Sequence, residues 1–184
     1  MSRLADRVLT GEIVLPKYQR AFVWGPHQVL ELLDSVLRNY PIGSLLLWET
    51  TEQLASEQTV AGLAVDPPRP GRPIRYILDG QQRLASVIGA LHGGTGLWNI
   101  DYDLQTEQFF QRTPETPTAA HLVHMRVVSE ASSLFAQVAE LPANLRERAT
   151  ILYEQFSNYL VPVVTLDHMS AEESARVFVP TPKT

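Results

Sequence analysis

Cysteine is absent from the 184-residue chain. That excludes disulfides, thiolate nucleophiles and zinc sites built on thiolates, and it permits a reducing compartment. Long apolar runs are also missing. The opening MSRLADRVLTGEIVLP carries Arg3, Asp6, Arg7 and Glu12 and has no stretch long enough for a signal peptide or a membrane span. A cytoplasmic protein without membrane attachment is the expectation. Nor is there an excess of positive charge: the net charge is −5, with nine basic and nine acidic groups in residues 1–100 and six against eleven in residues 101–184. Global steering toward nucleic acid is not predicted. Thirteen of the fifteen cations are arginine, however, and Arg20, Arg38, Arg69, Arg72, Arg75 and Arg83 lie in the neutral half. A planar guanidinium fork matches phosphate, so a local anion site stays open. The arginine bias is equally explained by genomic base composition.

Further absences narrow the chemistry. There is no G-x-S-x-G for a serine hydrolase and no G-x-x-x-x-G-K-[ST], so any nucleotide use is not of the P-loop kind. His121 and His124 are three residues apart but have no third ligand at a recognisable spacing, which argues against a metal centre there.

What is present is enough for a core: 45% of residues are hydrophobic and 19% charged, over about one domain's length. Glu12 to Leu15 is short and β-prone, closed by Pro16. Gly25-Pro26 is a clean helix start, and Val29, Leu30, Leu33, Val36 and Leu37 give a helix over 26–39 a wide apolar face. Tyr40-Pro41-Ile42-Gly43 ends it, and Ser44 to Trp48 reads as a buried strand. The Pro-rich VDPPRPGRP, within residues 55–73, is expected to be a surface loop. Ile74 to Leu78 is a strand, and Leu84, Val87, Ile88 and Leu91 mark a helix stopped by His92-Gly93-Gly94. Leu97 to Leu104 and Gln108 to Phe110 suggest a hairpin or meander. Helices follow near 129–140 and 144–159, then YLVPVVTL as a strand in which Pro162 predicts an edge or bulge. Ser170 to Glu173 is a capping-box signature. One α+β domain with a small mixed sheet flanked by helices is the expected architecture.

The polar cluster Asp79-Gly80-Gln81-Gln82-Arg83 sits at a strand-to-helix junction. A helix start exposes unpaired N–H groups and a positive dipole end, Gly80 gives close access to the backbone, and Arg83 in the first turn opposes the dipole unless an anion is bound. Asp79 can cap the helix, hold a magnesium ion or position water, while Gln81 and Gln82 can order a nucleophile or read a base edge. The plain alternative makes Asp79 an N-cap and Gly80 a turn residue. Tyr18-Gln19-Arg20, with Phe22 and Trp24 behind, can stack a base while the guanidinium takes phosphate, or can plug the core edge.

Taken together, LPKYQRAFVWGPHQVLELLDSVLRNYPIGSLLLWET and YILDGQQRLASVIGAL resemble the N-terminal domain of GmrSD-type restriction endonucleases. The likeness continues through DYDLQTEQFF and YLVPVVTL to AEESARVFV. The resemblance implies a ParB/sulfiredoxin-like fold over residues 1–184 and a site that binds and hydrolyses a nucleoside triphosphate with Mg2+, used in defence against modified foreign DNA. It places that site at Asp79, Gly80, Gln81, Gln82 and Arg83, with Tyr18, Gln19 and Arg20 contributing phosphate or nucleotide contacts; the chemistry of the residues adds Asp79 as the holder of metal or water. Family members carry DNA cleavage in a separate HNH-type nuclease region. That region is missing here, so a separate nuclease domain or subunit is the expected partner and this chain alone is not expected to cut DNA. Where the family usually continues from ARVFV into an Arg-x-Asn-Ser-x-Gly-type segment, this sequence has Phe178-Val-Pro-Thr-Pro-Lys-Thr184, which makes a shortened C-terminus the expectation. Two rivals accompany this reading: a ParB-like DNA-binding module without turnover, and a truncated, inactive interaction protein.

Overall fold

The computed structural model describes residues 2–17, 22–167, 169, 170, 172 and 173. Its architecture is α+β, built on one mixed four-stranded sheet. Strands β1 (Ile13–Val14), β2 (Leu45–Thr50), β5 (Ile74–Asp79) and β9 (Val163–Leu166) lie in the order β1-β5-β2-β9. β1 runs parallel to β5, β5 antiparallel to β2, and β2 parallel to β9. β9 is an edge, which is how it tolerates Pro162: the proline carbonyl accepts the Leu45 N–H at 2.9 Å, and its missing donor is not needed there.

Alternation along the strands sorts the apolar side chains between two faces. Ile13, Leu45, Leu47 and Ile77 pack against helix α1 (Ser2–Leu9) and helix α3 (Gln81–His92), meeting Ala5, Val8, Leu84 and Ile88. Val14, Trp48, Ile74, Tyr76 and Leu78 occupy the other face. The chain closes over that second face. Trp48 Nε1 donates to the Met169 carbonyl at 3.1 Å, and the Leu54 N–H donates to Tyr76 Oη at 2.8 Å.

Helix α3 joins this layer to the rest of the protein. Its Leu84, Ala85 and Ile88 belong to the sheet layer, while Val87, Ala90 and Leu91 enter a second core. That core is formed by α2 (Pro26–Leu37), α4 (Met125–Val128), α5 (Ala131–Val138), α6 (Ala143–Asn158) and a three-stranded antiparallel sheet. The sheet has the order β7-β6-β8, from β6 (Ile100–Asp103), β7 (Gln108–Gln111) and β8 (Leu122–His124). Burial fixes α3 along its length, so the residues at its start are set on a rigid element.

Several expectations hold and several are corrected. α2 starts at Pro26 behind Gly25, whose N–H donates to Gln28 Oε1 at 2.8 Å. It stops at Leu37 rather than Asn39, because Asn39 turns left-handed at φ 56° ahead of Tyr40-Pro41. The 55–73 segment is not all loop. β3 (Thr59–Val60) and β4 (Leu63–Ala64) form a small hairpin around Ala61 and Gly62, both at positive φ as a primed turn requires. Gly62 is an ordinary choice there but Ala61 is not, which hid the turn. α1 and β8 were not anticipated at all. The Ser170 capping box is formed: Glu173 Oε2 accepts the Ser170 N–H at 2.8 Å, and Ser170 Oγ accepts the Glu173 N–H at 3.3 Å. No helix among the described residues is long and apolar enough to cross a membrane.

Candidate functional site

β5, a central strand, delivers Asp79 to its C-terminal end, and Gly80 turns the chain directly into α3. The N-cap is Gly80 at φ 94°, which makes no side-chain cap hydrogen bond. Asp79 is therefore not the cap that one sequence reading made it. Its carboxylate turns instead to Arg83, one helical turn on, with Oδ2 3.0 Å from Nη2. The pair is asymmetric: the Asp79 side chain is 66% exposed and that of Arg83 only 19%. Arg83 Nη1 also donates to the Ile42 carbonyl at 2.6 Å.

Two glycines make room for this arrangement. A Cβ on Gly43, at φ 86°, would lie 2.4 Å from Arg83 Nη1, and one on Gly80 would lie 2.2 Å from Leu45 Cδ2 and 3.3 Å from Arg83 Nη2. The guanidinium thus occupies a slot between the 41–45 connection and the start of α3. This modifies the argument from the dipole. Asp79 and the Ile42 carbonyl already compensate the cation in the first helical turn, so a bound anion is not required to explain it. Gly43 and Ile42 were missed as site residues because Pro41-Ile42-Gly43 carries only a helix-stop signal. Nothing in those letters says that a guanidinium ends there.

Gln81 opens α3 and is half-buried. Gln82 Oε1 accepts the Val23 N–H at 2.9 Å. The 22–24 segment is further held by a T-shaped contact between Phe22 and Trp98, ring centroids 5.1 Å apart, over Gly89 of α3. Tyr18, Gln19 and Arg20 lie outside the described residues. The described chain nearest to them is tied to the Asp79–Arg83 motif through Gln82.

Arg83 also borders a void of about 10 Å³ with Leu4, Ile42, Leu45, Leu84 and Val161, too small for a ligand. Across Leu4 and Val161 lies an open cleft of about 640 Å³ that includes Arg3, Arg7, Tyr153 and Asn158. None of the residues Asp79 to Arg83 lines it, so it is not the motif's own surface.

Two histidines outside the motif set a pH response. His92, at the end of α3, has a buried Nε2 without a partner, and burial holds its pKa below the usual value near 6.5. His124 is lowered chiefly by burial as well, with Arg112 and Arg126 adding to the effect against Asp101. Its geometry agrees: Nδ1 accepts the Arg126 N–H at 3.1 Å, so that nitrogen has no room for a proton, and Nε2 faces Asn99 Oδ1 at 3.1 Å. The unfolded chain protonates both near pH 6.5 while the folded chain resists. Their stabilising contribution is complete above about pH 7 and declines as pH falls through 6.5 toward the lowered folded values. Thermal unfolding should move to lower temperature between pH 7.5 and 5.5, and His92→Leu should flatten part of that fall. An unchanged slope in this variant would remove His92 from the account.

The comparisons with known proteins agree with the residues. Residues 2–179 match the GmrSD restriction endonuclease N-terminal domain family. A stretch of 93 residues, 48% of this chain, is 33% identical to an uncharacterized protein of Methanocaldococcus jannaschii, MJ0686, and spans 16% of that protein's length.

Proposed function

Because the chain belongs to the GmrSD restriction endonuclease N-terminal domain family, we propose that it is a nucleotide-binding regulatory domain of a restriction or phage-defence system. In this reading it hydrolyses a nucleoside triphosphate, senses DNA, and governs a separate nuclease domain or subunit in the cytoplasm. The observation that carries the reading is the junction at Gly80, where an uncapped helix start, an exposed carboxylate and a half-hidden guanidinium meet within five residues. Phosphate oxygens suit the N–H groups at the start of α3, where the cap residue Gly80 supplies no side-chain acceptor. The ParB/sulfiredoxin-like assignment belongs to the same proposal.

A magnesium ion fits this site in one manner only. Among the described residues no three His, Asp or Glu side chains converge, so the protein does not offer a metal cage. Mg2+ is commonly held by one or two carboxylates together with substrate phosphates. Asp79 can supply one such oxygen, since Arg83 occupies Oδ2 and leaves Oδ1. The ion would neutralise phosphate charge when bound. Gln82 Oε1 is committed to Val23, so the task of orienting water falls first to Gln81.

The test is a binding and hydrolysis panel of the four nucleoside triphosphates with Mg2+, with and without plain and modified DNA. It should use the wild type and Asp79→Asn, which preserves shape. Binding by the wild type, lost in Asp79→Asn, is the expected result. No binding of any of the four sinks the proposal.

One observation favours a second reading. Arg83 is mostly hidden and braces the Ile42 carbonyl, so the motif can also serve as a structural clamp in a DNA-binding module without turnover. Salt-dependent DNA binding indifferent to every nucleotide would select it.

A further inference from the structure

At the opposite end of β5 from Asp79, the chain enters the strand through the Pro-rich loop VDPPRPGRP. We propose that this loop, through Arg69 and Arg72, is a contact surface for the phosphate backbone of double-stranded DNA. The inference rests on the restriction-system reading for the kind of partner, and on the loop itself for the place.

Charge accounting around the loop singles out these two arginines. A groove of about 370 Å³ runs between the loop and the start of β5, with Glu12, Glu49, Arg69, Arg72 and Arg75 on its walls. Both carboxylates are already satisfied. Arg75 donates to Glu49 at 2.6 Å and to Glu12 at 3.1 Å, and Arg7 also pairs with Glu12 at 2.7 Å. The Glu12 carboxyl is held below its usual range by Arg7 first, then by Arg75 and Arg69, so three cations overlap at that point. Among the described residues no ion pair or hydrogen bond engages Arg69 or Arg72, and both are exposed. Asp66 is in the same loop but lines neither this groove nor the adjoining one of about 220 Å³, which Arg69 and Arg72 also border.

The loop is shaped to present them. Pro67, Pro68, Pro70 and Pro73 fix φ, and Gly71 makes a left-handed turn at φ 74° between the two arginines with open space around it. A stiff loop loses little entropy when it docks. Two guanidinium forks on such a loop suit the non-bridging oxygens of a nucleic-acid backbone. They also give the acidic chain a local positive face that its net charge of −5 conceals. Six residues of β5 set the two ends of the strand roughly 17 Å apart, so the loop and the Asp79–Arg83 junction are separate places on the protein.

The experiment is fluorescence anisotropy of a labelled 20-base-pair duplex against the 184-residue chain, titrated at several salt concentrations. Three proteins are compared: wild type, Arg69→Ala/Arg72→Ala, and Arg38→Ala as a control cation already paired with Asp34 at 2.7 Å. The expected result is at least about a tenfold loss of affinity at low salt in the double variant only. Its salt slope should fall by roughly 1.8, two phosphate contacts at about 0.9 each. Equal binding by wild type and double variant overturns the inference, as does no DNA binding by the wild type. Equivalent capture of labelled polyglutamate, lost in the same variant, overturns the assignment to DNA. Nucleotide binding measured on the same preparations reports separately on the site at Asp79, so either proposal can fail without the other.

Discussion

Gly80→Ala is expected to lower the unfolding free energy by about 3 kcal/mol, the sum of two separable effects. At φ 94° an L-residue is in the left-handed region, which costs roughly 1–2 kcal/mol. The new Cβ would also lie 2.2 Å from Leu45 Cδ2, and Leu45 is 2% exposed and fixed in the sheet core, so relief requires moving packed atoms. Overpacking of that kind costs roughly 1–3 kcal/mol. For a chain of this length about 3 kcal/mol corresponds to a fall in Tm of about 6–12 °C. Gly62→Ala is the matched control: φ is 80° but nothing lies within 4 Å of its Cβ, so it should show the backbone part alone. Thermal unfolding followed by circular dichroism compares the two. Equal shifts would mean that the approach of Leu45 does not govern Gly80.

Gly80 also shows where sequence reasoning reaches and where it stops. The apolar run of Ile74 to Leu78 and the helical spacing of Leu84, Val87, Ile88 and Leu91 are one-dimensional patterns, and both elements are where those patterns put them. A polar Asp-Gly between them therefore reads as a tight junction without any structure. The partner of Arg83 is a different kind of fact. Its contact with the Ile42 carbonyl spans 41 residues of separation, and no local spacing encodes it. The same applies to Gly43: its φ of 86° favours glycine locally, but the close approach of the Arg83 guanidinium is a second requirement that no local spacing encodes. α1 was overlooked for another reason: Leu4, Ala5 and Val8 make a short apolar stripe that gains stability only by docking on α3. The Asp101 and Arg112 pair, fully buried on the acid side, was invisible because alternation along β6 places only an acid there, not its salt-bridge partner just past the end of β7.

Arg83→Ala and Asp79→Ala are expected to differ sharply in stability and to agree in nucleotide binding. Removing Arg83 strips the charged donor from the Ile42 carbonyl and empties a slot that is mostly shielded from water. Hydrogen bonds from charged donors are worth roughly 1.5–3 kcal/mol, so a loss of about 2 kcal/mol, or about 4–8 °C in Tm, is expected. Asp79 is 66% exposed, and an ion pair in that setting contributes at most about 1 kcal/mol, so Asp79→Ala should unfold within a few degrees of wild type. A pure clamp predicts only this asymmetry. A nucleotide site predicts more: Mg2+ and a nucleoside triphosphate at 100 times Kd should stabilise the wild type by about 2.7 kcal/mol, and neither variant should respond. Asp79→Ala is the decisive protein, because its fold is expected to be intact. If its ligand-induced Tm shift equals that of the wild type, the carboxylate takes no part in binding, and the Asp79–Arg83 junction is a brace between the 41–45 connection and α3.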